Sequence, residues 1–286
     1  MTATVTTPPS TQSSPPTGSP ATARPAPSGA TRVHFIVGDP IAQVKSPDGV
    51  TAAFHAAGLD AYVMPAHVAP ADLAAWLAGV SLARNVDGVI VTVPHKFACF
   101  DLCATTSERA AFLRTVNTMR RNADGSWHGD MFDGQAFVTA VRDNGGEPEG
   151  RKVLLVGAGG AGSAIAHALV MAGARQLAIH DEDAVRRATL VDRLAGLGRC
   201  PVTHGSADPT GFDVVVNATP VGMREGDPCP FDVARLTPAM FVGCVITAPA
   251  VTALIAAARA KGCQTLTGAH MFARVRDLMV DFLLEA

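Results

Sequence analysis

The sequence predicts an α/β fold built as two α/β halves with a cleft between them. Three observations predict it: strand-like and helix-like segments alternate along both halves, a glycine-rich turn joins one strand to the next helix, and 286 residues suffice for two ordinary domains.

Residues 1–31 are almost wholly Pro, Thr, Ser and Ala, a composition that buries too little to offset chain entropy, so a disordered tail is expected there. It has no apolar run long enough for a secretory signal or a membrane anchor. From Val33 to Val37 runs a β-type stretch, broken by Gly38, Asp39 and Pro40. Ser46-Pro47 then reads as a helix start, with Ser46 at the N-cap and Val50, Phe54 and Ala57 on one face. A strand over Tyr62 to Pro65, a helix over Pro70 to Leu77 and an apolar strand over Gly88 to Val93 follow. Such an order favours a mainly parallel sheet with covered faces.

The second half repeats the alternation. Strands are expected at Lys152 to Val156, Gln176 to His180, Asp213 to Asn217 and Phe241 to Ile246. Helices fall at Ala161 to Met171, Ala184 to Ala195, Thr252 to Ala260 and Met271 to Leu284, the last with Phe272, Val275, Leu278, Met279 and Phe282 at helical spacing.

The turn after Val156 reads Gly157-Ala158-Gly159-Gly160-Ala161-Gly162 and opens a helix. In that context GxGxxG is a dinucleotide signature: the first glycine permits the turn, the second lets backbone approach a pyrophosphate, and the third lets helix pack on strand. The next strand ends at Asp181, placed to accept from a ribose 2′-hydroxyl and to repel a 2′-phosphate, which favours NAD. Arg186-Arg187 keeps NADP open, although its plainer reading is a solvated helix face.

With 23 Lys and Arg against 25 Asp and Glu, no field draws the chain to nucleic acid or to an anionic membrane. A small-molecule partner is expected, and a homodimer stays open. The six cysteines lack CxxC spacing and read as reduced, small apolar residues, which with the absent signal points to the cytoplasm. No metal-ligand spacing is found among the histidines.

Lys96 stands just past the strand over Gly88 to Val93, where open α/β sheets build active sites. A lysine partly desolvated there can exchange a proton with a hydroxyl or carbonyl near neutral pH. On position alone an ordinary surface lysine fits equally well. His95 beside it is a candidate pocket wall.

Four motifs in order weigh on the choice: Val91-Thr92-Val93-Pro94-His95-Lys96, Val116-Asn117-Thr118, Gly129-Asp130-Met131-Phe132-Asp133-Gly134, and Asn217-Ala218-Thr219-Pro220-Val221-Gly222-Met223. Together they resemble the shikimate dehydrogenase family from about Val33 onward. The resemblance implies a substrate domain over 32–132, a Rossmann-type domain over 133–267 and a helix at 268–286 returning to the first. It implies that Lys96 shuttles a proton while Asp133 holds the lysine and the substrate oxygen, with Asn117 bonding near the same oxygen. It also places Asn217, Ala218, Thr219 and Met223 beside the nicotinamide.

The pattern departs from that family in the pocket. Val44 stands where the family has the first of two serines, leaving Ser46, which can bind a carboxylate at the helix start or serve only as an N-cap. Ile90 replaces an asparagine, Phe132 a threonine, Thr247 a tyrosine and Val275 a glutamine, while Thr92 is kept. A reaction centre retained inside a rebuilt recognition shell implies a ring alcohol or ketone other than shikimate. Two alternatives stay open: a quinate- or aminoshikimate-type dehydrogenase, and a dinucleotide-binding sensor without turnover.

Overall fold

The computed structural model describes residues 25–285; most of the expected tail lies outside the described residues. The described end of that stretch is held in place. The Tyr62 hydroxyl donates to the Pro25 carbonyl, and Thr31 Oγ1 donates to the Asp60 carboxylate at 2.9 Å.

The first half runs β1 (Arg32–Gly38), α1 (Ser46–Ala56), β2 (Ala61–His67), a 3-10 turn (Pro70–Asp72) leading into α2 (Leu73–Ser81), β3 (Val86–Val91) and α3 (Lys96–Asp101). It continues with β4 (Thr105–Thr106), α4 (Glu108–Leu113), β5 (Thr118–Arg121) and β6 (Trp127–Asp130). The sheet order is β2-β1-β3-β5-β6-β4. Strands β1 to β3 are parallel, as the alternation predicts, but β5 pairs antiparallel with both β3 and β6. The connection accounts for the β5–β6 pair. Asn122 to Ser126 closes a hairpin in which the Asn122 N–H donates to the Ser126 carbonyl at 2.8 Å, and so short a link cannot make the crossover that parallel strands need.

Ser46 does not cap α1. Lys45 occupies the N-cap position with no side-chain bond to the helix, and Ser46 is already helical and buried. Pro47 falls within the first turn, where its missing N–H costs nothing and its fixed φ fits the helix.

Helix α5 (Asp133–Asp143) links the halves and then leads into the second sheet. The second half comprises β7 (Lys152–Val156), α6 (Gly160–Met171), β8 (Gln176–His180), α7 (Ala184–Ala195), β9 (Val202–His204), β10 (Val214–Asn217), β11 (Phe241–Cys244), α8 (Ala253–Ala260) and β12 (Gln264–Leu266). All its strand pairs are parallel, in the order β12-β11-β10-β7-β8-β9. This is the doubly wound Rossmann arrangement. The direction of winding reverses between β7 and β10, and it is beyond the ends of such a strand pair, here at Gly157 and Asn217, that doubly wound sheets form a crevice suited to ligands.

Helix α9 (Gly268–Leu284) returns to the first half, packing on α1 and α5 and burying Met271, Val275, Met279, Phe282 and Leu283. Between the halves α5 lies on α6 backbone to backbone: a side chain at Gly134 would bring its Cβ to 2.1 Å from the Ala164 carbonyl oxygen. Among the described residues no helix is long and apolar enough to cross a membrane.

Candidate active site

Three short segments bring the catalytic candidates together. Strand β3 ends at Val91, the chain turns through Val93-Pro94, and Lys96 becomes the first residue of α3. Asp133 is the first residue of α5. Between them Asn117 ties both segments together through its backbone, accepting from the Val91 N–H at 2.7 Å and donating to the Asp130 carbonyl at 2.9 Å.

Lys96 Nζ donates to Asp133 Oδ2, and the two side chains are only 12% and 7% exposed. Asn117 Nδ2 donates to the other carboxylate oxygen, Oδ1, at 2.7 Å, while Asn117 Oδ1 accepts from the Phe132 N–H at 3.1 Å. So Asn117, itself fully buried, fixes the carboxylate, and the carboxylate fixes the lysine. A buried pair of this kind keeps an amine and a carboxylate within proton-transfer reach while excluding bulk water. The lysine stem also lies against the glycine turn, where a Cβ added at Gly160 would sit 3.1 Å from Lys96 Cδ.

His95 does not line this site. Its ring is 1% exposed and bonds through Nε2 to the Val68 carbonyl at 2.8 Å, a pairing that a buried imidazole requires. Nor does the structure offer a reactive thiol beside it, since burial pushes Cys99 and Cys103 up to about 12.

The glycine turn fits a dinucleotide. Gly157 has φ +109°, and a Cβ on Gly162 would meet the Gly157 carbonyl oxygen at 2.0 Å. At Gly159 a Cβ would meet nothing within 4 Å, so open space lies over the backbone at the start of α6, with Gly160 and Ala161 in its first turn. Free N–H groups and the positive helix end favour an anion there.

Asp181 is engaged on both oxygens: Oδ2 accepts from the Ala158 N–H at 2.6 Å, and Oδ1 accepts from the Asp183 N–H at 2.9 Å and from Arg186 at 2.7 Å. Burial pushes this carboxyl up, but the bonds from Arg186, Ala158 and Asp183 outweigh it and hold it below the usual carboxylate range. The arginines are therefore not a plain solvated face. Arg186 ion-pairs with Asp181, and Arg187 donates to the Asp181 carbonyl at 3.0 Å.

On the other side of the crevice the loop after β10 is shaped from within. Asn217 is fully buried; its Oδ1 accepts from Thr219 N–H and Oγ1, and its Nδ2 donates to the Val221 carbonyl. That brings Ala218 and Thr219 over Gly157, where an added Cβ would meet the Ala218 carbonyl carbon at 2.7 Å and Thr219 Cγ2 at 2.9 Å. Met223 remains partly exposed at the loop tip. Asp227, which spacing alone did not single out, accepts from the Gly222 and Arg224 N–H groups and holds that tip. Its carboxyl sits below the usual range because of those two bonds.

The replaced pocket positions divide. Ile90, Phe132 and Val275 are buried in one continuous apolar cluster, and Val44 packs against it. Thr247 is half-buried just beyond β11, and Thr92 follows β3, its backbone N–H bonded to the Val37 carbonyl at 2.9 Å. Ser46, at the start of α1, is buried.

Comparison with known proteins gives the family and the fold. Residues 36–119 match the shikimate dehydrogenase substrate binding domain family, and residues 149–192, the turn with its flanking strands and helices, match the ThiF family. A shikimate dehydrogenase (NADP(+)) of Rubrobacter xylanophilus is 38% identical over 248 residues, covering 85% of this chain and 87% of that protein. The structure of quinate dehydrogenase from Corynebacterium glutamicum in complex with NAD is 30% identical, with a TM-score of 0.80 over 90% of this chain and 94% of that one. The ligand-free 5-ketofructose reductase of Gluconobacter sp. strain CHM43 is 29% identical, with a TM-score of 0.78 over 90% and 94%. With a relative this similar along most of both chains, and a fold shared with these reductases and dehydrogenases, the chain belongs to the shikimate dehydrogenase family, a family of NAD(P)-dependent oxidoreductases acting on CH–OH groups.

Proposed function

We propose that this chain interconverts a ring alcohol and its ketone, that its substrate is not shikimate, and that NAD is the preferred coenzyme. In this reading residues 32–132 with the helix at 268–286 form the substrate unit, residues 133–267 form the dinucleotide unit, and the enzyme works in the cytoplasm.

The observation that carries the chemistry is the Lys96–Asp133 pair lying against Gly160. In the oxidising direction Lys96, as the amine, takes the hydroxyl proton; the carbon's hydrogen leaves with its electron pair and a C=O bond forms. A bound nicotinamide supplies the acceptor of that hydride. Asp133 keeps Nζ at the reacting oxygen, and Asn117 keeps Asp133 in place.

The substrate reading rests on the apolar cluster. Ile90, Phe132 and Val275 have no side-chain group that can bond a hydroxyl, and each hydroxyl left unpartnered costs about 1–3 kcal/mol. Thr92 and Ser46 remain, the latter at a helix N-terminus suited to a carboxylate. A less hydroxylated or larger alicyclic acid fits such a wall. Relatives named for shikimate, quinate and 5-ketofructose show how far substrates vary on this scaffold. The coenzyme reading rests on Asp181, whose carboxylate spends three acceptor sites of about four and keeps one for a ribose hydroxyl.

A screen of ring alcohols with NAD and NADP separately, followed by absorbance of the reduced nicotinamide, tests this. Turnover with NAD is expected, with shikimate kcat/KM below about 10⁴ M⁻¹s⁻¹ and Lys96→Ala inactive. Efficient shikimate turnover sinks the substrate reading, and a Lys96→Ala variant as functional as its parent favours a sensor.

A further inference from the structure

The segment that carries Asp133 is also held by an arginine from α4. Arg109, on α4, donates from Nε to Asp130 Oδ1 at 2.7 Å, from Nη2 to Asp130 Oδ2 at 2.6 Å and from Nη1 to Gln135 Oε1 at 2.7 Å. Its guanidinium also covers the Phe132 ring, 4.8 Å from the centroid. One arginine thus touches residues 130, 132 and 135, on both sides of the carboxylate in sequence, and bonds neither Lys96 nor Asp133.

Asp130 completes the clasp. Its carboxylate, 8% exposed, also accepts from its neighbour's backbone, the Met131 N–H, at 2.6 Å and from the Ser107 hydroxyl. Ser107 in turn caps α4 by accepting from the Ala110 N–H at 3.2 Å. The N-cap residue of α5 is Phe132, which makes no side-chain bond to the helix. No side chain of α5 caps its first turn, and the planar, forked guanidinium joins Asn117 in holding that turn from outside.

We propose that Arg109 is a positioning residue for Asp133, clasping Asp130, Phe132 and Gln135 so that the carboxylate meets Lys96 in register. The inference rests on the reading of Lys96 and Asp133 as the proton-transfer pair. A displacement of about 1 Å at a reacting centre lowers turnover by about 100-fold. Loosening the clasp should therefore act on kcat and leave coenzyme binding, whose residues lie elsewhere, unchanged.

Arg109 lines an open cavity of about 390 Å³ with His128, Gln135, Asp281, Phe282 and Glu285, so a small cation can enter from solvent. In Arg109→Ala, kcat should fall about 30-fold, with substrate KM and coenzyme Kd within about threefold of the parent. Added guanidinium at non-denaturing concentration should restore a substantial part of kcat in Arg109→Ala and none in Lys96→Ala. Arg109→Lys, which can reach Asp130 but not Gln135 at the same time, should fall between. Gln135→Ala, at an exposed side chain, should lose about threefold in kcat.

A kcat in Arg109→Ala within about twofold of the parent overturns the proposal. So does a loss that guanidinium does not relieve and that coenzyme Kd shares. If Arg109→Ala does not fold, unchanged kcat in both Arg109→Lys and Gln135→Ala overturns it. The ¹³C carboxyl resonance of Asp133 separates this idea from the function it rests on. An active enzyme whose resonance stays put in the Arg109 variants sinks the clasp alone; a moved resonance in a protein that turns over no alcohol sinks the dehydrogenase reading alone.

Discussion

Asn117 donates to Oδ1 of Asp133 across 2.7 Å while Lys96 donates to Oδ2, so the carboxylate is gripped on both oxygens by groups from two different segments. The amide is the stationary half of that grip, since its own oxygen is bonded to the Phe132 N–H.

Removing the amide should therefore cost activity and stability together. In Asn117→Ala the buried Phe132 N–H loses its acceptor, which is worth about 1–3 kcal/mol of unfolding free energy. The freed carboxylate should lower kcat by about 100-fold. Denaturant melts and steady-state rates check both, and a kcat within about threefold of the parent would mean the amide does not orient Asp133.

Two glycines of the same turn should behave oppositely. Gly162→Ala drives a Cβ to 2.0 Å from the Gly157 carbonyl oxygen and should destabilise the fold; Gly159→Ala meets no protein atom within 4 Å and should not. If the turn holds the coenzyme as proposed, Gly159→Ala should instead weaken its binding by about tenfold or more, because the methyl would fill the open space over the backbone that a pyrophosphate needs. Thermal melts and fluorescence titration with NADH distinguish them, and unaltered binding in Gly159→Ala would move the coenzyme off this turn.

The dinucleotide half was legible because its signals are local. A Val- and Leu-rich strand, a glycine turn and a helix leave little choice of order, and β7, α6, β8 and α7 fall where composition puts them. The hairpin of β5 and β6 was not. Its residues Thr118–Arg121 and Trp127–Asp130 carry charges and glycine in place of an apolar run, because Arg121 lies over the Trp127 ring and bonds the Val86 carbonyl on one face of the sheet. Helix α5 hid for another reason. Its N-cap position falls on Phe132, with no side-chain cap to announce the start, although Gln135, Thr139, Arg142 and Asp143 form an exposed stripe at helical spacing opposite buried Phe137, Val138 and Val141. At the site, Lys96, Asn117 and Asp133 stood in the sequence, but the Arg109 clasp did not, since nothing in its local spacing tells an α4 arginine that its partners lie 21 and 26 residues on.

Coenzyme choice should turn on Arg186 as well as Asp181. Arg186→Ala leaves the buried carboxylate without its cation, and NADP should then be used less well, with kcat/KM falling about tenfold while that for NAD stays within about threefold. Asp181→Asn should shift the ratio the other way by freeing Arg186 toward a 2′-phosphate. Paired kinetics with both coenzymes check this, and equal losses for NAD and NADP in Arg186→Ala would remove the arginine from the discrimination.

His34 should give the fold a sensitivity to acid. It is buried beside Phe54 with neither ring nitrogen bonded, and burial pushes its pKa from 6.5 down to about 4. The native state thus resists a proton that the unfolded chain accepts. Stability is full above pH 6.5 and falls by about 3 kcal/mol as the pH drops through that window toward 4. In His34→Leu the part of the slope due to this imidazole should vanish. Urea midpoints at neutral pH and near pH 4 measure it, and an unchanged slope would mean that water reaches the ring.

Helix α9 has a consequence for how the molecule is made. Synthesis proceeds from the first residue to the last, so the segment that closes over Val50 and Phe54 leaves the ribosome after every other described element. The half translated first is then the half completed last. A nascent chain holds a finished coenzyme half beside an uncovered hydrophobic wall, and a stop codon just before Gly268 would leave that wall bare for good.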